Sequence, residues 1–475
     1  MSLSGSLNVA VAGLQAQSRS LGHISDNIAN SSTSGYKRID TRFSTLVTVS
    51  TPSVHQPGGV RAVPFRPNDI QGAVTSTGIS TNLAMAGEGF FAVSKVRGEQ
   101  NGLPVFETDP LYTRAADFTI NKDGFLVNSG GYFLNAWNVS EDAQGSRTVD
   151  RTSLQPLRIS QLRDAPSATT IVKYSANLPS GATAAQDTRP GAGSPGIDFA
   201  PTQVTIFDQL GNDHTLNVSW TKSTALPNVW TATFNLDGDD TPNTLPNLNV
   251  SSTNPEVLPA GAATETVSFD FRFAPSDAAG FNAGSITGIR RTTVPPGGFV
   301  DATPGNQATL NFNIDYGNLV TQVFTLNLGT YGRTDGLTQY AGTNIDSLQT
   351  EQNGVPPGSF RDLTIDENGF VTLNYDNGRR KTFFQIPVAQ FNNSNALQLQ
   401  QGNAYSATFD SGNPALTNPG GNGAGAVVAS SLEGSNVDIA DEFSKMIVTQ
   451  RVYSANARII TTASTLLDET VNLVR

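Results

Sequence analysis

Three histidines, His23, His55 and His214, are the first places to look for acid–base or metal chemistry in this 475-residue sequence. Metal ligation needs imidazoles brought together at short, regular spacings. These three fall in a helix, a connector and a β-turn, with no ligand spacing between them. Cysteine is absent, which removes thiolate sites and disulfides. The run Asn235-Leu-Asp-Gly-Asp-Asp240 offers carboxylates for calcium. A calcium-binding helix-loop-helix loop needs Gly at its sixth position and a late bidentate Glu. Gly238 is fourth and no suitable Glu follows, so the run reads as an Asp-Gly hairpin. Gly87-Glu-Gly89 lacks the third glycine of a dinucleotide loop and opens a strand instead of a helix. No serine sits in a nucleophile elbow. The expectation is a protein without catalysis, cofactor or metal.

Composition bounds the alternatives. The length suggests roughly two to four domains. With 45 Gly, 26 Pro and only 15% charged residues, the chain suits strand-rich domains with many turns. Its 25 Phe argue against disorder. The net charge is −11 and no basic cluster exceeds Arg379-Arg380-Lys381. That excludes a phosphate-neutralising face for nucleic acid. No run approaches the ~20 apolar residues of a membrane helix, so no membrane insertion is expected. The N-terminus, Met-Ser-Leu-Ser-Gly, lacks the pattern of a cleaved secretory signal.

The elements that would position any site divide sharply along the chain. Residues 1–30 and 436–475 hold no Pro and little Gly, and the middle is full of both. Leu7, Leu14, Leu21 and Ile28 recur every seven residues, with Val11 four after Leu7. Seven is the coiled-coil period, which keeps an apolar seam turned to a partner. At the other end Phe443, Met446, Gln450, Tyr453, Ala457, Ile460, Ser464, Leu467 and Val471 are spaced three and four apart. Ser435 with Asp438 fits a capping box at the start of that helix. Ala10, Ala12, Gly13, Ala16 and Ser18, and Ala455, Ala457, Thr461, Thr462, Ala463 and Ser464, give both helices small residues. These would let neighbouring molecules approach closely, and a non-closing repeat of such contacts builds a helical filament.

Between the ends, Asn121-Lys-Asp-Gly124, Asp366-Glu-Asn-Gly369 and Asp376-Asn-Gly378 place Gly where hairpin turns need positive φ. Leu216, Val218 and Trp220, then Trp230, Ala232, Phe234 and Leu236, alternate as half-buried strands do. Loose stretches at 179–201, 295–306 and 413–425 read as passages between elements. The expected fold is multidomain: a pair of terminal α-helices forming a coiled coil, with mainly-β domains inserted between them. Residues 1–35 and 435–475 form the helical polymerisation domain, and 36–80 a connector. Residues 81–178 with 335–434 form an inner β domain, and 179–334 an inserted outer one.

Several motifs carry a resemblance. Ser25-Asp-Asn-Ile-Ala-Asn30 followed by Thr33-Ser-Gly-Tyr-Lys37 resembles the N-terminal signature of the flagellar rod and hook proteins. Asn436-Val-Asp-Ile-Ala-Asp-Glu-Phe443 with Gln450-Arg-Val-Tyr-Ser-Ala-Asn456 is similar to their C-terminal signature. The matching positions are Asn27, Asn30, Gly35, Tyr36, Lys37, Asn436, Asp438, Gln450 and Arg451. Met85-Ala-Gly-Glu-Gly-Phe-Phe-Ala-Val93, Leu111-Tyr-Thr-Arg-Ala-Ala-Asp-Phe118 and Asn121-Lys-Asp-Gly-Phe-Leu-Val-Asn128 resemble the family's first β domain. The departures are mild: Ser32 stands where Asn is usual and Ser34 where Pro is usual. Tyr174-Ser-Ala-Asn-Leu-Pro179, Val204-Thr-Ile-Phe-Asp-Gln-Leu-Gly-Asn212, Gly336-Leu-Thr-Gln-Tyr340 and Gln385-Ile-Pro-Val-Ala-Gln-Phe391 resemble hook proteins in particular. Rod proteins are generally shorter and lack the large insertion.

The resemblance implies a structural subunit that polymerises with itself into a flexible curved tube, a universal joint between motor and filament. It implies export through the flagellar apparatus without a cleaved signal, to the cell exterior. It further implies contacts with the flagellar rod, the hook cap and the hook–filament junction proteins. A distal rod protein, or an adhesin displayed by its outer β domain, are the competing readings.

Overall fold

A computed structural model describes residues 3–51, 54–141, 145–159, 163–182, 201–223, 226–237, 247–251, 266–291, 299–315 and 321–473. The chain divides into two compact units, Met1–Leu162 with Phe360–Arg475, and Arg163–Ser359.

The first unit carries both long helices. Helix α1 spans Leu3–Ala29 and α2 spans Ile439–Leu473, the latter about 52 Å at 1.5 Å per residue. Helix α1 ends where Asn30-Ser-Ser-Thr-Ser-Gly35 turns the chain. Gly35 has φ +66°, and a Cβ there would lie 2.4 Å from the backbone N of Ala115, so only glycine fits. Helix α2 starts on Asp438. Its Oδ1 accepts the N–H groups of Ala440 at 2.9 Å and Asp441 at 3.3 Å. That is N-cap geometry, which satisfies backbone donors that have no partner within the helix. Ser435 Oγ instead accepts Val437 N–H at 3.3 Å, before the helix begins. Asp438 alone therefore does the work assigned to a Ser435–Asp438 capping box. Asp441 and Glu442 fill the first turn, where the helix dipole favours negative charge.

The expected connector is paired structure. Strands β1 (Asp40–Thr51) and β2 (Val54–Phe65) form an antiparallel hairpin from Asp40↔Phe65 to Thr51↔Val54, with register shifts beside Leu46 and Val47. A two-stranded ribbon has two free edges, so Pro57 and Pro64 need not interrupt a ladder. Gly59 lies against Ala12, where a Cβ would come within 2.9 Å of the Ala12 Cβ, so the hairpin runs close along α1.

The rest of this unit is β structure in which outbound and returning segments interleave. One path of paired strands runs 360–365, 370–375, 380–385, 133–141, 90–94, 111–113, 404–406. The three Gly turns fall where the sequence places them. Ile120 pairs with Leu126, Ile365 with Val371 and Asn374 with Arg380; Gly124, Gly369 and Gly378 all have positive φ. Leu83, Phe91, Phe118, Leu134, Val371 and Val388 lie in its core.

The second unit is a sandwich of a five-stranded and a six-stranded sheet. Phe234 of one sheet meets Phe312 of the other edge-to-face, centroids 5.1 Å apart. Tyr174, Trp220, Trp230, Phe271 and Phe324 fill the same core. Strand Ile171–Asn177, read from sequence as inner domain, lies in this sandwich. Its alternation buries Val172, Tyr174 and Ala176. It pairs with 346–352 and, in parallel, with 321–330. The stretches at 179–201 and 295–306 fall inside this unit's bounds instead of at its edges, and 183–200 and 292–298 lie outside the described residues. The structural division thus falls at 163 and 359, where the sequence reading put it at 179 and 334.

Candidate assembly surface

Helices α1 and α2 run antiparallel. Gly13 abuts Asn456, whose Nδ2 would lie 3.0 Å from an added Cβ. Fourteen residues further along α1, Asn27 Nδ2 donates to Glu442 Oε2 at 3.0 Å, and Glu442 precedes Asn456 by fourteen. On α1 the buried face is Ala10, Gly13, Ala16, Ser20, Ile24 and Asn27. On α2 it is Glu442, Thr449 and Ala463, with Met446, Asn456 and Ile460 half-buried.

This seam is displaced from the stripes read in the sequence. Leu7, Leu14, Leu21 and Ile28 are half-buried and Val11 is exposed. Phe443, Tyr453 and Leu467 are exposed, Ala457 is half-buried, and the side chain of Val471 lies outside the described residues. Small and polar side chains let two helices of one molecule approach closely. Ala10, Gly13, Ala16 and Ala463, assigned from sequence to contacts between molecules, are consumed in this way. The larger apolar residues remain outside. At 100° per residue they fall on both flanks of the seam: Ile439, Phe443 and Ile447 on one, Val448, Val452, Ile459 and Leu466 on the other, all exposed. Phe443 is 49% and Val448 61% accessible. Burying such a side chain is worth roughly 1.5–3 kcal/mol, so these residues leave apolar surface on two sides of α2 that a partner could cover.

A buried polar node lies where both helices meet the β structure. The Asn27 amide is fully engaged. Its Nδ2 donates to Ile39 O (3.0 Å) and Glu442 Oε2 (3.0 Å), and its Oδ1 accepts from Ile39 N (2.8 Å) and Tyr36 Oη (3.3 Å). Burial, with the Asp26 charge adding, pushes the Tyr36 phenol up, so it stays a donor. Asn436 accepts from Arg38 N at 2.7 Å and donates to Ile70 O at 3.1 Å.

Beside it, Glu433 accepts from Lys37 Nζ (2.6 Å), Arg114 Nη1 (2.8 Å) and Gly72 N (3.0 Å). The Lys37 and Glu433 side chains are 0% exposed and that of Arg114 is 3% exposed. Burial alone would raise the Glu433 carboxyl, but Arg114, Lys37 and the Gly72 N–H outweigh it and hold it below the usual range. Burial pulls the Lys37 ammonium down, and Glu433 offsets this only in part. Two cations thus share one carboxylate.

Six of the nine signature positions, Asn27, Gly35, Tyr36, Lys37, Asn436 and Asp438, meet at or beside this node. Asn30 closes the end of α1, donating to Asp26 O at 2.9 Å. Gln450 and Arg451 lie apart, exposed on α2. The sequence reading missed Glu433 altogether. Arg114 was visible only as part of Leu111–Phe118, with no role attached. The histidines stay dispersed: His23 in α1 bonds Thr41 at 2.8 Å, His55 is in β2, and His214 is in the sandwich. Residues 238–240 of the Asn235–Asp240 run lie outside the described residues. Among the described residues no helix is long and apolar enough to cross a membrane.

Four family models match the chain in order. They are the flagella basal body rod protein (7–37), the flagellar hook protein FlgE/F/G D1 domain (84–171), the flagellar basal body protein FlaE D2 domain (177–355) and the flagellar basal body rod FlgEFG protein C-terminal region (428–473). The flagellar hook protein FlgE of Brucella suis is 32% identical over 476 residues, covering 100% of both chains. That of Rhizobium meliloti is 30% identical over 480 residues, again with 100% of both covered. A crystal structure of Helicobacter pylori FlgE2 covers 76% of this chain at 17% identity and a TM-score of 0.40.

Proposed function

Because the chain belongs to the bacterial flagellar hook protein family, we propose that it polymerises through its terminal helices into a flexible curved tube that passes motor torque to the filament. It is a structural subunit of the flagellar hook. The observation that supports this mechanism is the exposed apolar surface on both flanks of α2. A helix pair satisfied within one molecule would leave no such surface; one that also packs against neighbours on two sides requires it.

Bending a rotating tube makes each row of subunits lengthen and shorten once per turn. Contacts between terminal helices hold a subunit in the wall, through Leu7, Val11, Leu14, Leu21 and Ile28 of α1 and Phe443, Tyr453, Ala457 and Leu467 of α2, while Met446 and Ile460 lie on the face turned to α1. The β units, whose surfaces are polar and weakly charged, slide past those of axial neighbours because no single contact dominates. The hairpin β1–β2 is the jointed segment, since a two-stranded ribbon supported on one side bends more readily than a packed sheet. Export through the flagellar apparatus delivers the chain outside the cell, where it meets the rod below, the cap during growth and the junction proteins above. Electron microscopy of the purified chain tests the reading. A curved, flexible tube supports it; a straight rigid one would indicate a distal rod protein, and a monomer with no polymer an adhesin.

A further inference from the structure

Five Asn-Gly pairs occur in the chain: Asn101-Gly102, Asn353-Gly354, Asn368-Gly369, Asn377-Gly378 and Asn422-Gly423. Each carries the parts of a self-modification. The glycine amide nitrogen can attack the asparagine Cγ, and the missing Cβ leaves that approach open. The reaction needs a nitrogen without a hydrogen bond and a backbone free to move. In three pairs the nitrogen is held. Gly354 N donates to Gln352 Oε1 at 2.5 Å, Gly369 N to Asp366 O at 2.9 Å and Gly378 N to Tyr375 O at 3.2 Å. Asn353 is held as well, its Oδ1 accepting Thr170 N and Ile171 N at 2.9 Å each and its Nδ2 donating to Thr170 Oγ1 at 2.7 Å.

The other two pairs share one local geometry. Asn101 and Gly102 have φ +53° and +76°, and Asn422 and Gly423 have +52° and +81°, the double positive φ of a type I′ turn. All four residues are exposed, and neither glycine N–H makes a hydrogen bond among the described residues. What differs is the support. The Asn422 turn is fastened to the core: Ala424 N donates to Gly421 O at 2.9 Å, Gly425 N donates to Glu88 O at 2.7 Å, and Ala424 packs among buried residues. Asn101-Gly102 joins strands Val96–Gln100 and Leu103–Phe106, which pair with each other and with no third described strand. That ribbon has a register shift between Val96 and Gly98, a glycine inside a strand and mostly exposed side chains. An isolated two-stranded hairpin is marginal in water, so its tip opens locally at little cost. We propose that Asn101 is the site at which this protein first modifies itself. The bond from Gly102 N to Asn101 Cγ forms, the Cγ–Nδ2 bond breaks and ammonia leaves; water then opens the resulting succinimide to aspartate or isoaspartate. Either product adds a negative charge at the tip, and isoaspartate lengthens by one atom a turn that sets Gln100 opposite Leu103.

Incubating the full, folded chain in mildly alkaline buffer and mapping its peptides by mass spectrometry reads the exchange of amide nitrogen for oxygen at each pair. Labelling by an isoaspartyl methyltransferase reads the rearranged product. Asn101 should react first, with Asn422 well behind it. In denaturing urea, where the turns are gone, the five pairs should react at similar rates. Gly98→Thr leaves the reacting pair intact, meets no atom within 4 Å of its Cβ and gives the ribbon a β-forming side chain, so it should slow Asn101 about two- to fivefold. The inference is overturned if Asn422 keeps pace with Asn101 in the folded chain, if Asn101 leads equally in urea, or if Gly98→Thr leaves its rate unchanged. It is overturned too if every pair reacts in urea and none does in the folded chain.

Discussion

Replacing Glu433 by Gln removes one negative charge at a point where two positive charges depend on it. The Gln side chain keeps the volume and retains an oxygen for the Gly72 N–H, so packing changes little. Lys37 Nζ still has Ile70 O at 2.6 Å, and Arg114 Nη2 still has Gly87 O at 2.8 Å. What is lost is the charge balance of a site with side-chain exposures of 0–3%. Deleting one partner of a buried ion pair costs about 3–5 kcal/mol, because the remaining charge stays buried without a counter-ion. For a unit of this size that corresponds to a fall in melting temperature of roughly 5–9 °C. Differential scanning calorimetry of the full chain reads it directly. Lys37→Met is the control: it leaves the Arg114–Glu433 pair intact and should lose distinctly less. If Glu433→Gln melts within about 1 kcal/mol of the wild type, or no worse than Lys37→Met, the charge argument for the node is wrong.

Other outcomes follow from the same geometry. The depressed Glu433 carboxyl contributes stability that is fully present above its unfolded value of about 4.5 and is lost as pH falls through the lower folded value; acid titration of the wild type should therefore show a loss that Glu433→Gln lacks. Asp438→Ala, which removes the acceptor for two N–H groups of α2, should cost about 1 kcal/mol by thermal melting. Phe443→Glu and Val452→Glu, on opposite flanks of the α2 seam, should each abolish tube growth in sedimentation assays, with melting of the β structure shifted by less than about 0.5 kcal/mol. Gly35→Ala must place a Cβ against the Ala115 backbone at φ +66° and should cost at least about 1–3 kcal/mol.

The helical ends were legible because their sequences exclude Pro and repeat at three and four, and the Gly turns because positive φ restricts the residue choice. The sandwich strands were legible by alternation. The seam was not, because Leu and Phe dominate a periodicity count while Ala10, Gly13 and Ala16, which make the closer contact, barely register in it. The β1–β2 hairpin was hidden by Pro57, Gly58 and Gly59, whose usual meaning is a loop; a two-stranded ribbon tolerates them. The compact units divide at 163 and 359, so two of the Gly- and Pro-rich runs read as passages between domains lie inside the bounds of the sandwich. The node was invisible for a different reason. Lys37, Gly72, Arg114 and Glu433 are separated by up to 396 positions, and no local pattern links them.

That separation also sets an order of events. A chain made from its first residue onward presents Lys37 and Arg114 long before Glu433. Until then two cations have no counter-charge, and closing the node around them is unfavourable. The clasp beside both helices therefore cannot balance its charges until the segment carrying Glu433, 396 positions after Lys37, has joined it.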